Sequence, residues 1–176
     1  MERKNRITFL GKPVTLVGPE LKAGDKSPDF ILVDSDLNEV TLKDFNGKVK
    51  LISVAVSIDT SVCDQQLRSF NEKAASLGNG VAVLNVTMDL PFALKRFCST
   101  AGIDRAKALS DFRYASFGEN YGVLMKELRF LARAVFVVDA KDNIAYSEIV
   151  SEATHSVNFE NALKAATELI AKGKAA

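Results

Sequence analysis

The sequence is poor in the residues that build metal centres and disulfide frameworks. It holds two cysteines, Cys63 and Cys98, and one histidine, His155. Two cysteines do not make a disulfide framework for a chain of 176 residues, and a chain of that length needs none. A closed zinc site takes four Cys- or His-type ligands at short spacings. Cys63, Cys98 and His155 do not supply that pattern, so neither a metal nor another cofactor is expected. His155 stands between Thr154 and Ser156 in a polar stretch and reads as a solvated loop residue rather than a catalytic base. An excess of charge of one sign is also lacking. The formal net charge is +1, which gives no electrostatic reason to expect nucleic acid or an anionic membrane as partner. No apolar run approaches the roughly 20 residues that a membrane span needs. Met1 to Arg6 is charged, but no long apolar segment or small-residue cleavage site follows it. A soluble, cytoplasmic protein is the expectation.

What the chain does have is apolar residues, 47% of the total, enough for one compact domain over residues 1–176. Ile7 to Leu10 and Pro13 to Val17 read as a β-hairpin around Gly11-Lys12. Phe30 to Val33 and Val40 to Leu42 read as short strands. Val49 to Val56 and Val81 to Val86 have the mostly apolar character of strands covered on both faces. Between these two runs, Leu67, Phe70, Ala74 and Leu77 recur on one helical face, and Gly78 and Gly80 stop the helix. Pro91 opens a second helix, with Phe92, Leu94, Phe97 and Ala101 on or near its buried side and Gly102 as its stop. Ala134 to Val138 and Ile144 to Val150 are two further strands, and Phe159, Ala162, Leu163, Ala166, Leu169 and Ile170 mark a final helix. Strand, helix, strand, helix, hairpin and helix make an α/β sandwich.

Cys63 falls just past a buried strand, inside the first turn of a helix that Asp59, Thr60 or Ser61 can cap. A helix N-terminus offers unpaired N–H groups and partial positive charge, both of which favour thiolate over thiol. Lowering a cysteine pKa from about 8.5 to about 6 raises the thiolate fraction at pH 7 about 30-fold. That gain is about 2 kcal/mol, and the intrinsic nucleophilicity falls with the pKa. A fast cysteine nucleophile therefore also needs groups that hold its substrate and stabilise charge on the leaving atom. Thr60, three residues before Cys63, can supply a hydroxyl. Two other readings of the cysteines stand beside this one. Each can be a small buried hydrophobe, Cys98 especially, next to Phe97 on an apolar helix. They can also form a static disulfide, where closing about 36 residues contributes about 4 kcal/mol in the chain-entropy model, although a reducing cytosol opposes it.

Several segments then resemble a known family. Ser57-Ile58-Asp59-Thr60-Ser61-Val62-Cys63 resembles the active-site segment of the thiol peroxidase (Tpx) group of peroxiredoxins. Met88-Asp89-Leu90-Pro91-Phe92-Ala93, followed by Arg96-Phe97-Cys98, resembles that group's resolving-cysteine segment. Ser110 to Arg113, Phe117 to Val123 and Leu131 to Val135 match in order, so the similarity runs from about Ile7 to Ile170. The resemblance implies a thioredoxin-like sandwich with an N-terminal β-hairpin. It implies Cys63 as the peroxidatic cysteine, passing through a sulfenic acid, and Cys98 as the resolving cysteine of the same subunit. Thr60 corresponds to the family's active-site threonine and Arg133 to its active-site arginine. Hydrogen peroxide and organic hydroperoxides are the implied substrates, thioredoxin the implied reductant, and a homodimer packed near the active site the implied assembly.

One position departs from the wider peroxiredoxin pattern Pro-x-x-x-Thr-x-x-Cys, in which Val56 holds the place of the proline. That departure supports the principal alternative, a non-catalytic redox-sensing or binding domain on the same fold. A thioredoxin-type disulfide reductase is a further rival, but its Cys-x-x-Cys motif is interrupted by Gln66. Because the two cysteines sit in separate expected helices, disulfide formation implies local rearrangement around both.

Overall fold

The computed structural model describes residues 1–78 and 80–174, with the backbone alone described at 61–64, 67, 74–76 and 174. The chain opens with the expected hairpin, β1 (Glu2–Phe9) pairing antiparallel with β2 (Lys12–Val17). Its turn is Leu10–Gly11, one residue earlier than the sequence indicated. Both residues have positive φ, 51° and 74°, which is what a two-residue hairpin turn of type I′ demands. β1 also starts earlier than expected, through the charged run Glu2 to Arg6. Arg3 secures it by donating to the carbonyls of Gly18 and Gly122, and Glu2 pairs with Lys126.

β3 (Ile31–Val33) and β4 (Glu39–Thr41) precede a short 3-10 turn at Leu42–Phe45 and then β5 (Val49–Val54). The first crossover is α1 (Ser61–Leu77), leading to β6 (Val81–Thr87). The second is α2 (Pro91–Ala101), leading to β7 (Ala106–Ser110). After α3 (Ser116–Asn120) and β8 (Leu124–Met125) come β9 (Ala134–Val138), β10 (Ile144–Ile149) and α4 (Phe159–Lys174). Seven strands form one sheet in the order β10-β9-β5-β6-β7-β3-β4, while β8 joins the hairpin in a separate three-stranded sheet. β5, β6 and β7 run parallel, and β9 returns antiparallel beside β5.

Two successive parallel crossovers in the same direction place α1 and α2 on one face of the sheet, because such connections are right-handed. Arg68 and Asn71 of α1 accordingly reach the carbonyls of Ala101 and Gly102 at the C-terminal end of α2. Alternation along the strands sorts the core. Leu51, Val83, Val135 and Val137 pack with Phe70 of α1 and with Ala162 and Ala166 of α4. Ile52, Val54, Leu84, Val86 and Phe136 face the other way, toward Leu16, Phe30, Phe117 and Tyr121.

Some details differ from the sequence expectation. β7 and the two short elements that follow it were not foreseen. Phe92 is 67% exposed rather than on the buried side of α2, which Leu94 anchors instead. β5 buries Lys50 completely, and its ammonium pairs with Asp142 and donates to the Asp139 carbonyl. The side chains of Leu67 and Ala74, expected on the inner face of α1, lie outside the described residues. Phe70 is fully buried, stacked edge-on against Phe159.

Candidate active site

β5 ends at Val54, and the chain leaves the sheet through a loop that is tied down at almost every residue. The Ala55 N–H donates to the Val86 carbonyl, while Val56 and Ile58 bury their side chains in the core. The position of the family proline is thus filled by a valine only 4% exposed. The Asp89 carboxylate holds the next two residues, accepting the Ser57 hydroxyl at 2.8 Å and the Ile58 N–H at 2.8 Å. Thr60 then folds back, its N–H and its hydroxyl both donating to the Ser57 carbonyl at 3.2 Å.

Of the three candidate caps, Thr60 occupies the N-cap position of α1. Its backbone is extended and its side chain makes no capping hydrogen bond. Cys63 therefore lies in the first turn of α1, as its spacing from the strand predicted. Its side chain lies outside the described residues.

Beneath this turn sits a buried polar chain. Arg133, just before β9, is 1% exposed and not the surface arginine that a bland reading would make it. Its Nε donates to the Ala153 carbonyl at 3.1 Å, and its Nη1 donates to Gln66 Oε1 at 2.8 Å. Gln66 in turn donates from Nε2 to the Ser53 hydroxyl at 2.6 Å and to the Val54 carbonyl at 3.3 Å. Gln66 is three residues after Cys63, hence on the same side of the helix. The guanidinium is thereby fixed below the helix that carries Cys63. Arginine suits this place because it stays charged when buried and presents a rigid fork of donors.

Cys98 lies in α2, half-buried, with a free thiol. Burial raises its pKa above the ordinary value. It opens onto a groove of about 420 Å³ that Asp34, Asp36, Lys95, Ser99 and Lys107 also line. The two cysteine segments meet at Asp89. This residue grips the Cys63 loop with its carboxylate, while its backbone carbonyl accepts the Ser110 hydroxyl and its N–H donates to Thr87 Oγ1. The structure thus gathers Thr60, the Cys63 turn and Arg133 around the first turns of α1 and sets Cys98 apart in α2.

Sequence reasoning missed Gln66 and Asp89 as parts of this site. Gln66 stands out in the sequence only as the residue that breaks a Cys-x-x-Cys motif, and Asp89 only as part of the segment that resembles the resolving-cysteine region. The i, i+3 relation to Cys63 was the available clue to the first. Nothing in the sequence reports the fold-back that engages the second.

The Redoxin family matches residues 22–165. The chain belongs to the Redoxin family. Within it, the chain is 59% identical to a thiol peroxidase of Halalkalibacterium halodurans over 91% of its own length and 96% of that protein. It is 57% identical to a thiol peroxidase of Listeria innocua over 92% and 97% of the two chains. A crystal structure of a peroxiredoxin-like protein from Aquifex aeolicus superimposes with a TM-score of 0.87 at 41% identity, covering 95% of this chain and 99% of the other. The chain is therefore a redoxin of the thiol peroxidase group, a peroxiredoxin-type oxidoreductase with a thioredoxin-like fold.

Two further features of this redoxin bear on the site. A cavity of about 560 Å³ lies at the far end of the sheet, beside the start of β5 and the end of α4. No cysteine lines it, so it does not compete with the cysteine helices as the place of reaction. No helix among the described residues is long and apolar enough to cross a membrane.

Proposed function

We propose that this redoxin reduces hydrogen peroxide and organic hydroperoxides through Cys63 and closes each cycle with a Cys63–Cys98 disulfide. The Cys63 thiolate attacks one peroxide oxygen. The S–O bond forms as the O–O bond breaks, leaving a sulfenic acid and releasing water or an alcohol once the leaving oxygen takes a proton. The Cys98 thiolate then attacks the sulfenic sulfur, forming the S–S bond and expelling hydroxide, which is protonated to water. Two electrons from a dithiol partner of the thioredoxin type restore both thiols.

The observation that carries this reading is the buried Arg133–Gln66 bond under the turn that bears Cys63. A cation fixed there favours the thiolate and the negative charge that develops on the departing oxygen. Thr60 serves the substrate: its hydroxyl donates to the Ser57 carbonyl and keeps its own lone pairs for a hydroperoxide O–H. The burial of Val56 in the proline's place argues for retained pocket shape, and hence for catalysis over the non-catalytic binding role.

The resolving step needs movement. The Gln66 end of α1 is tied to β5, and the Cys98 groove is lined by β7, two strands away. Two strand spacings are about 10 Å, whereas a disulfide brings its Cα atoms to about 5.5 Å. Loosening of the Cys63 turn and of α2 supplies the difference.

The assembly is a homodimer of single-domain chains in the cytoplasm. Leu90, Phe92, Phe112 and Tyr114 stand exposed close to the Asp89–Ser110 junction, an apolar patch suited to a second copy beside the active site. Dithiol-dependent consumption of hydroperoxide by the wild type, abolished in Cys63→Ser, is the expected result. Consumption of no hydroperoxide by the wild type would make the binding role the better reading.

A further inference from the structure

We infer that Asn85 is a positioning residue for resolution: a buried amide without partners in the packed form, it lowers the cost of the rearrangement that joins Cys98 to Cys63. The inference rests on the cysteine roles proposed above.

Asn85 lies in the middle of β6 and is 1% exposed. Among the described residues, it is the one side chain with buried polar atoms that bond to nothing, and this holds for both Oδ1 and Nδ2. Its placement is specific. In the parallel register it sits between Ser53 of β5 and Ala108 of β7. Its side chain shares the face of Ser53, because paired residues in adjacent strands point the same way. That face is the one covered by α1 and α2. On one side, Ser53 is engaged by Gln66 beneath the Cys63 helix. On the other, Ala108 lines the groove of Cys98. Asn85 is thus the central residue of a row that runs from one cysteine helix to the other.

Other buried polar groups nearby are satisfied: Gln66 and Arg133 bond to each other, and Ser110 bonds to Asp89. A buried amide denied hydrogen bonds disfavours the state that buries it, whereas an apolar side chain of similar shape does not. The penalty at Asn85 falls on the packed form alone. When the Cys63 turn and α2 loosen, water or freed backbone groups reach the amide and the penalty disappears. Asn85 therefore biases the equilibrium toward the form in which the two sulfurs can meet, without touching the reaction of Cys63 with peroxide.

Asn85→Leu, close in size, removes the polarity, and Asn85→Val is a second, smaller and β-branched variant in case leucine overfills the site. In reduced protein, amide hydrogen exchange in the first turns of α1 and in α2 is expected to slow at least about fivefold in either variant. After rapid mixing with peroxide, disulfide formation is expected to slow by a similar factor. Sulfinic acid accumulates, while the second-order rate of the first step stays at the wild-type value. Wild-type exchange and wild-type resolution in both variants would overturn the inference, and so would a slowed first step in either. If the wild type itself forms no Cys63–Cys98 bond, the reaction assignment fails, and the exchange measurement on reduced protein still decides whether Asn85 controls the packing.

Discussion

The two cysteine-bearing helices begin alike and are held differently. Both α1 and α2 start from an extended N-cap residue, Thr60 and Leu90, whose side chain makes no capping hydrogen bond. α1 is compensated by polar ties from outside itself: Arg133 and Ser53 through Gln66 below, and Asp89 on the incoming loop. Among the described residues, α2 has a lighter set at its start: Thr87 and Ser110 on the Asp89 backbone, and an exposed ion pair from Lys95 to Asp36. Pro91 leaves one N–H fewer to satisfy, Leu94 anchors the helix in the core, and Phe92 is left exposed. The difference fits the two tasks proposed for the cysteines. The attacking sulfur needs a preorganised charge environment, because positioned charge stabilises the transition state without reorganisation. The resolving sulfur needs freedom to travel, and a helix without a buried charged tie such as the Arg133–Gln66 bond opens locally at lower cost.

The strongest way to break this contrast is to remove the cation. Arg133→Ala is expected to reduce the second-order rate of Cys63 with peroxide by about 100-fold or more, measured by stopped-flow on reduced protein. Arg133→Lys should recover only part of the loss, because an ammonium does not reproduce the guanidinium fork to Gln66 and Ala153. A wild-type rate in Arg133→Ala would mean that the buried network is structural alone.

Next in size is the tie between the two segments. Asp89→Ala leaves the Ser57 hydroxyl and the Ile58 N–H without their acceptor and should cost about 2 kcal/mol in urea unfolding, with a slower first step. Asp89→Asn keeps an acceptor and should fall between. Equal stability of the alanine variant and the wild type would remove Asp89 from the site.

Much of this contrast was legible in the sequence, but unevenly. The apolar runs of β5 and β6, the period of α1 and the Gly102 stop of α2 were plain, and Gly102 does adopt the left-handed conformation expected of a helix stop. β7 was not plain, because Ala106 to Ser110 carries Lys107 and small residues in place of a β-branched run. It becomes a strand because β6 and β3 lie on either side of it. α3, with five residues, is too short for periodicity to register. Phe92 was misplaced because five residues separate it from Phe97, about 140° around a helix. At the site, the position of Cys63 in the first helical turn could be read from local spacing. The burial of Arg133 could not, since its partner Gln66 is 67 residues away and only the completed sheet brings them together.

A smaller effect sharpens the resolving side. Burial raises the Cys98 pKa above its ordinary value of 9.0. The packed form's preference for the neutral thiol is therefore fully present below that value and is lost as pH rises through the raised one. Raising the pH from 7 toward 9 favours both the thiolate and its release from the packed form. Disulfide formation should accelerate by up to about tenfold per pH unit, followed by rapid quenching and thiol counting. A flat profile would mean that helix movement, not thiolate supply, limits the step.

The central claim is that one chain carries both halves of the cycle. Mass analysis of the reduced wild type after one equivalent of peroxide tests it most directly. The predicted product is a monomer two hydrogens lighter, with Cys63 and Cys98 joined in one chain. A stable sulfenic acid at Cys63, or a disulfide between two chains, would contradict it.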